Sequence, residues 1–221
     1  MLLAVDTSTT QMGLALYDGA QVLGEYAWRS GQRHTVELAP AVADLLTRCA
    51  VTMNDVNVLG VALGPGSFTS LRVGLALVKG LALAKNIPLV GIPTLDILAH
   101  AQPMSKLPLA VAIQAGRGRY AFSWFKVSRK QWQAQGEARV VTLEALMAEV
   151  QSPSVVCGEF TAETRHKIVM NENIQLVAPA GSIRRPAVLA ELAWKRWQSG
   201  DVDDEAALAP IYLHVAEPIQ A

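Results

Sequence analysis

The sequence predicts an α/β protein of two lobes, each with the element order βββαβα. Short apolar runs alternate with segments of helical period, and the same order recurs in both halves of the chain. The 221 residues are enough for two small domains with proper cores. The predicted lobes are residues 1–103 and 104–221, with the boundary near Gln102-Pro103. The C-terminal helix is the one element that could pack back on the first lobe.

The first lobe is predicted to open with three strands, at residues 2–6, 13–17 and 22–28. A polar bend at 7–10 and an Asp18-Gly19 turn separate them. A helix is expected from His34, with Glu37 closing a capping arrangement three residues later. A buried strand at 55–63, a central helix, a strand at 88–92 and a short helix capped by Thr94 complete the lobe.

The second lobe repeats this order with strands at 107–114, 120–127 and 139–142, then helices at 143–150 and 161–170 around a strand at 154–158. A strand at 174–178 and a helix that begins at Pro186 end it. Arg184 and Arg185 are predicted to lie in an exposed loop. Two such units side by side resemble the actin-like ATPase (ASKHA) and sugar-kinase superfamily, in which nucleotide sits between the lobes. The fold alone does not establish an activity.

The central helix follows a turn, Gly64-Pro65-Gly66, that cannot continue a strand, and Ser67 is predicted to cap it through its hydroxyl oxygen. Apolar residues then surround the helix instead of forming one stripe, so it must be covered on all sides. Ala76, Gly80 and Ala84 add a row of small residues. The pattern leaves two coverings open: the protein's own core all round, or the core on one side and a second polypeptide on the other.

Composition argues against several classes of protein. Lys+Arg and Asp+Glu both number 19, so no overall field would attract nucleic acid or an acidic membrane. Only 17% of residues are charged, which favours a subunit over a solitary monomer. Cys49 and Cys157 form no CxxC pair, as expected for thiols in a reducing cytosol. Neither a signal segment nor a membrane-spanning run is recognised, so the expected location is the cytoplasm.

Candidate chemistry is sparse, and the sequence predicts no catalytic residue and no metal site. Asp6 with Thr7, Ser8 and Thr10 could contact a phosphate, but a self-satisfied turn is favoured because no glycine-rich cradle or Walker lysine is present. The four histidines form no metal-binding pair, and Ser67 lies in no G-x-S-x-G elbow.

Basic residues between Arg117 and Lys130 lie among aromatic residues, an arrangement also found on nucleic-acid surfaces. Strand alternation places Tyr120, Phe122 and Trp124 on one face. A core stripe with a solvated basic rim is therefore favoured.

The motif Gly-Pro-Gly-Ser-Phe-Thr-Ser-Leu-Arg-Val-Gly at 64–74 resembles the bacterial TsaB (YeaZ) family of tRNA threonylcarbamoyladenosine biosynthesis proteins. Further matches are Asp6-Thr7-Ser8, His34-Thr35, Gly80-Leu-Ala and Pro210-Ile-Tyr-Leu, so the resemblance spans almost the whole chain. The sequence departs from the family where Gln114-Ala115-Gly116 replaces Asp-Ala-Arg, with Arg117 one place later, and where His214 replaces an arginine. Gln114 is neutral and cannot act as a base.

The resemblance implies a non-catalytic scaffold subunit. Such proteins pair with TsaD through the first two helices, and TsaD transfers a threonylcarbamoyl group to the adenosine beside the anticodon of tRNAs that read ANN codons. TsaE docks on the pair. No intrinsic cofactor is implied, and nucleotide and tRNA would be met only within the complex. The residues expected at the partner interface are His34, Leu38, Val42, Leu45, Arg72, Leu75, Ala76, Lys79, Gly80 and Leu83.

The sequence supports one further expectation about assembly and one alternative function. A homodimer is expected when TsaD is absent, because the same apolar surface still needs covering. The alternative hypothesis is a free-standing ATP-binding phosphotransferase or ATPase that uses Asp6 and the cleft between the lobes. Gln114, in place of a second carboxylate, favours the scaffold.

Overall fold

The structure is a computed structural model and describes residues 1–31, 33–116 and 118–213. Two compact units are present. The first comprises Met1–Ile97 and Arg184–Ile211, and the second comprises Leu98–Ile183 with residues 212–213. None of the helices in the described ranges combines the length and apolar character that crossing a membrane requires.

The elements of the first unit are β1 (Leu2–Asp6), β2 (Gln11–Tyr17), β3 (Val22–Arg29), α1 (His34–Arg48), β4 (Val58–Ala62), α2 (Phe68–Lys85), β5 (Leu89–Ile92) and α3 (Thr94–His100). Its strands form a mixed sheet with the order β3-β2-β1-β4-β5. The central strand β1 runs antiparallel to β2 and parallel to β4, and it is buried along its whole length.

The second unit repeats this plan. Its elements are β6 (Leu109–Gln114), β7 (Arg119–Ser128), β8 (Gln131–Ala134), β9 (Arg139–Thr142), α4 (Leu143–Glu149), β10 (Ser154–Gly158), α5 (Ala162–Ile168), β11 (Ile174–Leu176) and a short 3-10 turn at Pro179–Ser182. The sheet has the order β11-β10-β6-β7-β8, and β9 pairs with β7 as well. The last helix, α6, spans Pro186–Gln198. The predicted duplicated α/β fold is confirmed.

Side chains of the first sheet alternate between two apolar layers, because successive residues of a strand point to opposite faces. Leu3 and Val5 of β1 pack in the layer that contains α1 and α2. Leu2 and Ala4 face the other way and pack in the layer that contains α6. The residues of α6 in that layer are Leu189, Ala190 and Ala193, all fully buried.

The compact units divide the chain differently from the predicted lobes. The first break falls after Ile97 instead of near Gln102-Pro103, and the chain from Arg184 to Ile211 belongs to the first unit instead of to residues 104–221. The physical reason is α6, whose apolar face covers the second layer of the first sheet. Strand β8 was also absent from the prediction, since only Trp132 of its residues is buried.

Candidate functional site

The bend between β1 and β2 holds the polar residues expected to meet a phosphate, and the structure buries most of them. Asp6, Thr7 and Ser8 are at most 1% exposed, whereas Thr10 is exposed. The Thr7 hydroxyl donates to the carbonyl of Ser70 at 2.7 Å. These hydroxyls are therefore engaged with the protein itself.

Helix α2 closes over this bend at its N-terminal end. The backbone N–H of Ser67 donates to the Ser8 carbonyl at 2.7 Å, and the Ser8 and Thr94 hydroxyls share a hydrogen bond of 2.7 Å. The Thr94 hydroxyl also accepts from the N–H of Gly64 at 2.9 Å. Ser67 is the N-cap of α2, accepting a hydrogen bond from the N–H of Ser70. The 64–67 turn, α3 and the bend thus form one hydrogen-bonded cluster.

Two glycines allow this close approach. A Cβ atom on Gly66 would lie 2.2 Å from the Ser8 carbonyl oxygen, and one on Gly74 would lie 2.3 Å from the Thr7 hydroxyl oxygen. Both distances are far below van der Waals contact. The cluster therefore requires glycine at these positions for steric reasons.

Asp6 is held by an arginine from the other end of the first unit. The Nε atom of Arg184 donates to Asp6 Oδ2 at 2.7 Å, and both side chains are almost fully buried. The other carboxylate oxygen accepts from the Ser8 N–H at 2.8 Å, and Arg184 Nη2 donates to the Gln11 carbonyl at 2.9 Å. The prediction that Arg184 lies in an exposed loop is wrong, because the Asp6 carboxylate inside the unit compensates the charge of its buried guanidinium. Its neighbour Arg185 is half-exposed and binds Glu25.

Helix α1 turns its four predicted interface residues towards the core. Leu38, Val42 and Leu45 pack in the same apolar layer as β1 and β2. His34 is 4% exposed, and its Nε2 atom lies 2.8 Å from the Thr9 carbonyl oxygen. Leu75 of α2 is buried as well. These five of the ten predicted interface residues thus pack inside the unit instead of facing solvent.

The start of α1 differs from the predicted capping arrangement. Its N-cap is Arg33, without a side-chain cap. Glu37 instead accepts hydrogen bonds from Trp28 Nε1 at 2.9 Å and from Arg33 Nε at 2.7 Å. These hydrogen bonds, that from Trp28 first, lower the pKa of the Glu37 carboxyl below its usual value. The prediction was wrong because a partner on β3 competes for the carboxylate.

The outward faces of α1 and α2 carry exposed apolar residues. Leu83 is 76% exposed and Val36 is 70% exposed. Ala76 and Gly80 are also exposed, and a Cβ on Gly80 would meet no atom within 4 Å. Beside them the Arg72 guanidinium lies 3.7 Å from the centre of the Phe68 ring. A shallow groove of about 440 Å³ runs here, lined by Thr35, Phe68, Thr69, Arg72, Val73 and Ala76.

The other residues singled out from the sequence form no second candidate site within the described residues. Gln114 is exposed at the end of β6, and Arg117 and His214 lie outside the described residues. Within those residues no group of three or more His, Cys, Asp or Glu side chains could hold a metal ion. Cys49 and Cys157 are free thiols.

A family model described as TsaD, tRNA N6-adenosine threonylcarbamoyltransferase, matches residues 27–180. Two curated relatives are named tRNA threonylcarbamoyladenosine biosynthesis protein TsaB. The Bacillus subtilis relative is 28% identical over 98% of this chain and 95% of its own length. The Escherichia coli relative is 36% identical, but the match covers only 45% of this chain and 42% of that protein.

Solved structures similar to this chain agree with the family match. YeaZ from Pseudomonas aeruginosa superposes with a TM-score of 0.79 and 25% identity, over 96% of this chain and 99% of that chain. Component A of (R)-2-hydroxyglutaryl-CoA dehydratase from Acidaminococcus fermentans has a TM-score of 0.53 at 11% identity, over 88% of this chain and 98% of that one, which shows a shared fold alone. The chain is thus a protein of two units with the actin-like ATPase fold. Within that class, the chain belongs to the TsaB (YeaZ) family of tRNA threonylcarbamoyladenosine biosynthesis proteins, which the TsaD family model also matches.

Proposed function

We propose that the chain is a non-catalytic scaffold subunit that pairs with a TsaD protein. In this role it supports transfer of a threonylcarbamoyl group to the adenosine next to the anticodon of tRNAs that read ANN codons. The observation that carries the proposal is the outward face of α2, where Ala76, Gly80 and Leu83 lie exposed on a helix that is apolar all round. A contiguous exposed apolar surface of this kind marks a protein contact.

The proposed interface differs from the set expected from the sequence. From α2 it keeps Arg72, Ala76, Lys79, Gly80 and Leu83, which are exposed or partly exposed. From α1 it takes the outward residues instead of the buried ones. These are Thr35, Val36, Ala39, Pro40 and Ala43. Small side chains on both helices would let a partner helix approach closely.

A scaffold role is supported by the state of Asp6. A carboxylate that binds a metal–nucleotide complex must face that ligand, whereas Asp6 is 1% exposed and its charge is paired with Arg184. We therefore assign no intrinsic cofactor to the chain. Nucleotide and the tRNA substrate take part in the reaction only within a complex on which TsaE docks, in the cytoplasm.

The test is co-purification with the cognate TsaD. Ala76→Glu and Leu83→Glu place a charge on the outward face of α2, and Met170→Glu is the matched control, since Met170 is 80% exposed and belongs to the second unit. Wild type and the control should pair, whereas the two α2 variants should be folded but unpaired. Without TsaD, wild type should dimerise through the same face.

Two results would overturn the proposal. If the α2 variants pair as well as wild type, the interface lies elsewhere. If wild type does not pair with TsaD but hydrolyses ATP alone, the scaffold role fails and a free-standing phosphotransferase takes its place.

A further inference from the structure

One part of the second unit is basic although the chain is balanced. The whole sequence has 19 Lys+Arg and 19 Asp+Glu, but residues 97–136 contain six lysines and arginines and no aspartate or glutamate. A local cluster of positive charge can attract a polyanion even when the net charge of the protein is zero.

Four of the six lie at one end of the second sheet. Lys106 and Lys126 line a groove of about 520 Å³ between the chain at 104–108 and the end of β7. Arg129 and Lys130 follow in the turn between β7 and β8. All four are exposed, and within the described part of the chain none forms an ion pair. We call these four residues the basic end.

The turn at the basic end retains its charges against the local backbone preference. Ser128 pairs with Gln131, so Arg129 and Lys130 are the two central residues of the hairpin turn. Their φ angles are +50° and +60°, a conformation in which Asn-Gly is strongly preferred over residues with long side chains. Strained residues that persist in a structure are a reason to look for a function.

The carboxylate that contacts this strand does not neutralise the basic end. Glu149 accepts a hydrogen bond from Trp124 Nε1 at 3.1 Å and forms an ion pair with Arg139. Its charge is therefore already matched by an arginine outside the basic end. The four cations remain available to a ligand from solution.

Most aromatic residues among these cations are buried and unavailable for stacking, and the partly buried Trp124 donates its Nε1–H to Glu149. Tyr120 and Phe122 lie in the core cluster of the second unit, and Trp132 is 4% exposed with its Nε1 donating to the Gln102 carbonyl at 3.1 Å. Proteins that bind single-stranded RNA through its bases present exposed aromatic rings. The basic end offers charge alone, which suits a phosphate backbone.

We propose that the basic end docks the phosphate backbone of a folded RNA, without reading its sequence. The choice of RNA over an acidic protein rests on the proposed function, since a subunit of a tRNA-modifying complex is brought close to tRNA. Contacts of cations with phosphates release counterions, so the affinity should fall steeply with salt.

The turn supplies a variant in which charge and stability change in opposite directions. Arg129→Asn combined with Lys130→Gly gives the turn its preferred residues and removes two charges. Its melting temperature should be equal to or above that of wild type. Affinity for an unmodified tRNA transcript, measured for the full chain by fluorescence anisotropy at several salt concentrations, should be lower. The slope of log K against log salt should fall by about two, about one per contact removed.

A second pair of variants makes the test independent of the turn. Lys106→Gln with Lys126→Gln should give the same loss, whereas the control Lys85→Gln with Lys195→Gln removes two exposed lysines of the first unit and should leave affinity unchanged. A tRNA of unrelated sequence should bind equally well. Unchanged tRNA affinity in both basic-end variants, or no tRNA binding by wild type at low salt, overturns the inference.

The pairing assay separates this inference from the proposed function. If the basic-end variants bind tRNA normally but no longer pair with TsaD, the surface docks a protein and the inference fails. If wild type does not pair with TsaD but the basic-end variants lose tRNA affinity, the proposed function fails and the RNA surface stands.

Discussion

Asp6 and Arg184 are separated by 178 positions in the sequence, yet they form an ion pair of 2.7 Å inside the first unit. The pair joins the end of β1 to the segment that leads into α6. Because Arg184 also donates to the Gln11 carbonyl, it holds both sides of the bend between β1 and β2. A residue from the far part of the chain thus completes the bend that the sequence places at its start.

Removing one partner of this pair should be costly. Asp6→Asn leaves the Arg184 guanidinium buried without its counter-charge, and we expect a loss of about 3–5 kcal/mol in the free energy of unfolding. Urea denaturation measures this loss. The double variant Asp6→Asn with Arg184→Met should lose less than the sum of the single variants, because it buries no uncompensated charge. Glu163→Gln, which breaks an exposed pair with Lys167, serves as the control and should change nothing measurable. Equal effects of Asp6→Asn and the control would contradict this account.

The Glu25 carboxyl should make stability depend on pH. Burial raises its pKa, but hydrogen bonds from the Arg185 side chain and the Ala187 N–H outweigh burial and bring the pKa below the usual 4.5. A lowered folded-state pKa adds stability that is fully present above the unfolded value and is lost as pH falls through the folded value. The difference in unfolding free energy between wild type and Glu25→Gln should therefore be largest at neutral pH. It should shrink as the pH falls below the unfolded-state pKa and through the folded-state pKa, until the carboxyl is protonated in both states. A difference that is constant over this range would refute the assignment.

Two glycine-to-alanine substitutions should change the stability of the protein in opposite directions. Gly66→Ala places a Cβ 2.2 Å from the Ser8 carbonyl, and forcing α2 away from the bend should cost about 1–3 kcal/mol. Gly80→Ala lies in the same turn-and-helix segment but has open space around it, so the better helix propensity of alanine should raise stability by about 1 kcal/mol. Thermal unfolding of the two variants beside wild type is the measurement. A stabilising Gly66→Ala would show that the bend and α2 are not in close contact.

The two thiols should differ in reactivity. Burial raises the pKa of Cys157 to about 12, so it holds almost no reactive thiolate near neutral pH. Cys49 is only half-buried. A thiol titration of the native chain with an aromatic disulfide should therefore detect one group, and Cys49→Ser should abolish the signal while Cys157→Ser should not. Both thiols should react in denaturant, and a native Cys157 that reacts as fast as Cys49 would contradict the burial argument.

Local signals explain why most of the fold could be predicted from the sequence. The turn at 64–66 and the serine that follows it indicate where α2 begins, and the helix starts at Phe68. The strands of the first sheet are short apolar runs bounded by turn residues, a pattern that needs no information from distant residues. Strand β8 lacks that pattern, since Trp132 is its only buried residue, and it forms because β7 offers a free edge.

The orientation of α1 could not be decided locally. A helical period shows that Leu38, Val42 and Leu45 share one face, but it does not say whether that face meets the core or a partner. The structure turns this face to the sheet and leaves Val36 outside. The interface set predicted from the sequence includes these three residues, whereas the structure packs them against the sheet; the helix itself was correctly placed.

Hydrogen bonds and ion pairs between residues distant in the sequence could not be predicted for another reason. The hydroxyl of Thr94 serves Gly64 and Ser8 instead of acting as a helix cap, and Arg184 is buried because Asp6 receives it. Neither residue lies in a motif that signals its partner. Arginine side chains are usually solvated, and the Asp6 carboxylate comes close to Arg184 only in the folded chain.

The position of α6 has a consequence for synthesis. During translation the first 97 residues emerge together, but one face of their sheet gains its apolar cover only when residues 186–198 have left the ribosome. Until then Leu2, Ala4 and Val58 would stand open to water while the whole second unit is being made. The second unit, which is continuous from Leu98 to Ile183, can reach its native state earlier. The nascent chain is therefore expected to fold from its middle outward, with its N-terminal sheet the part most in need of chaperone protection.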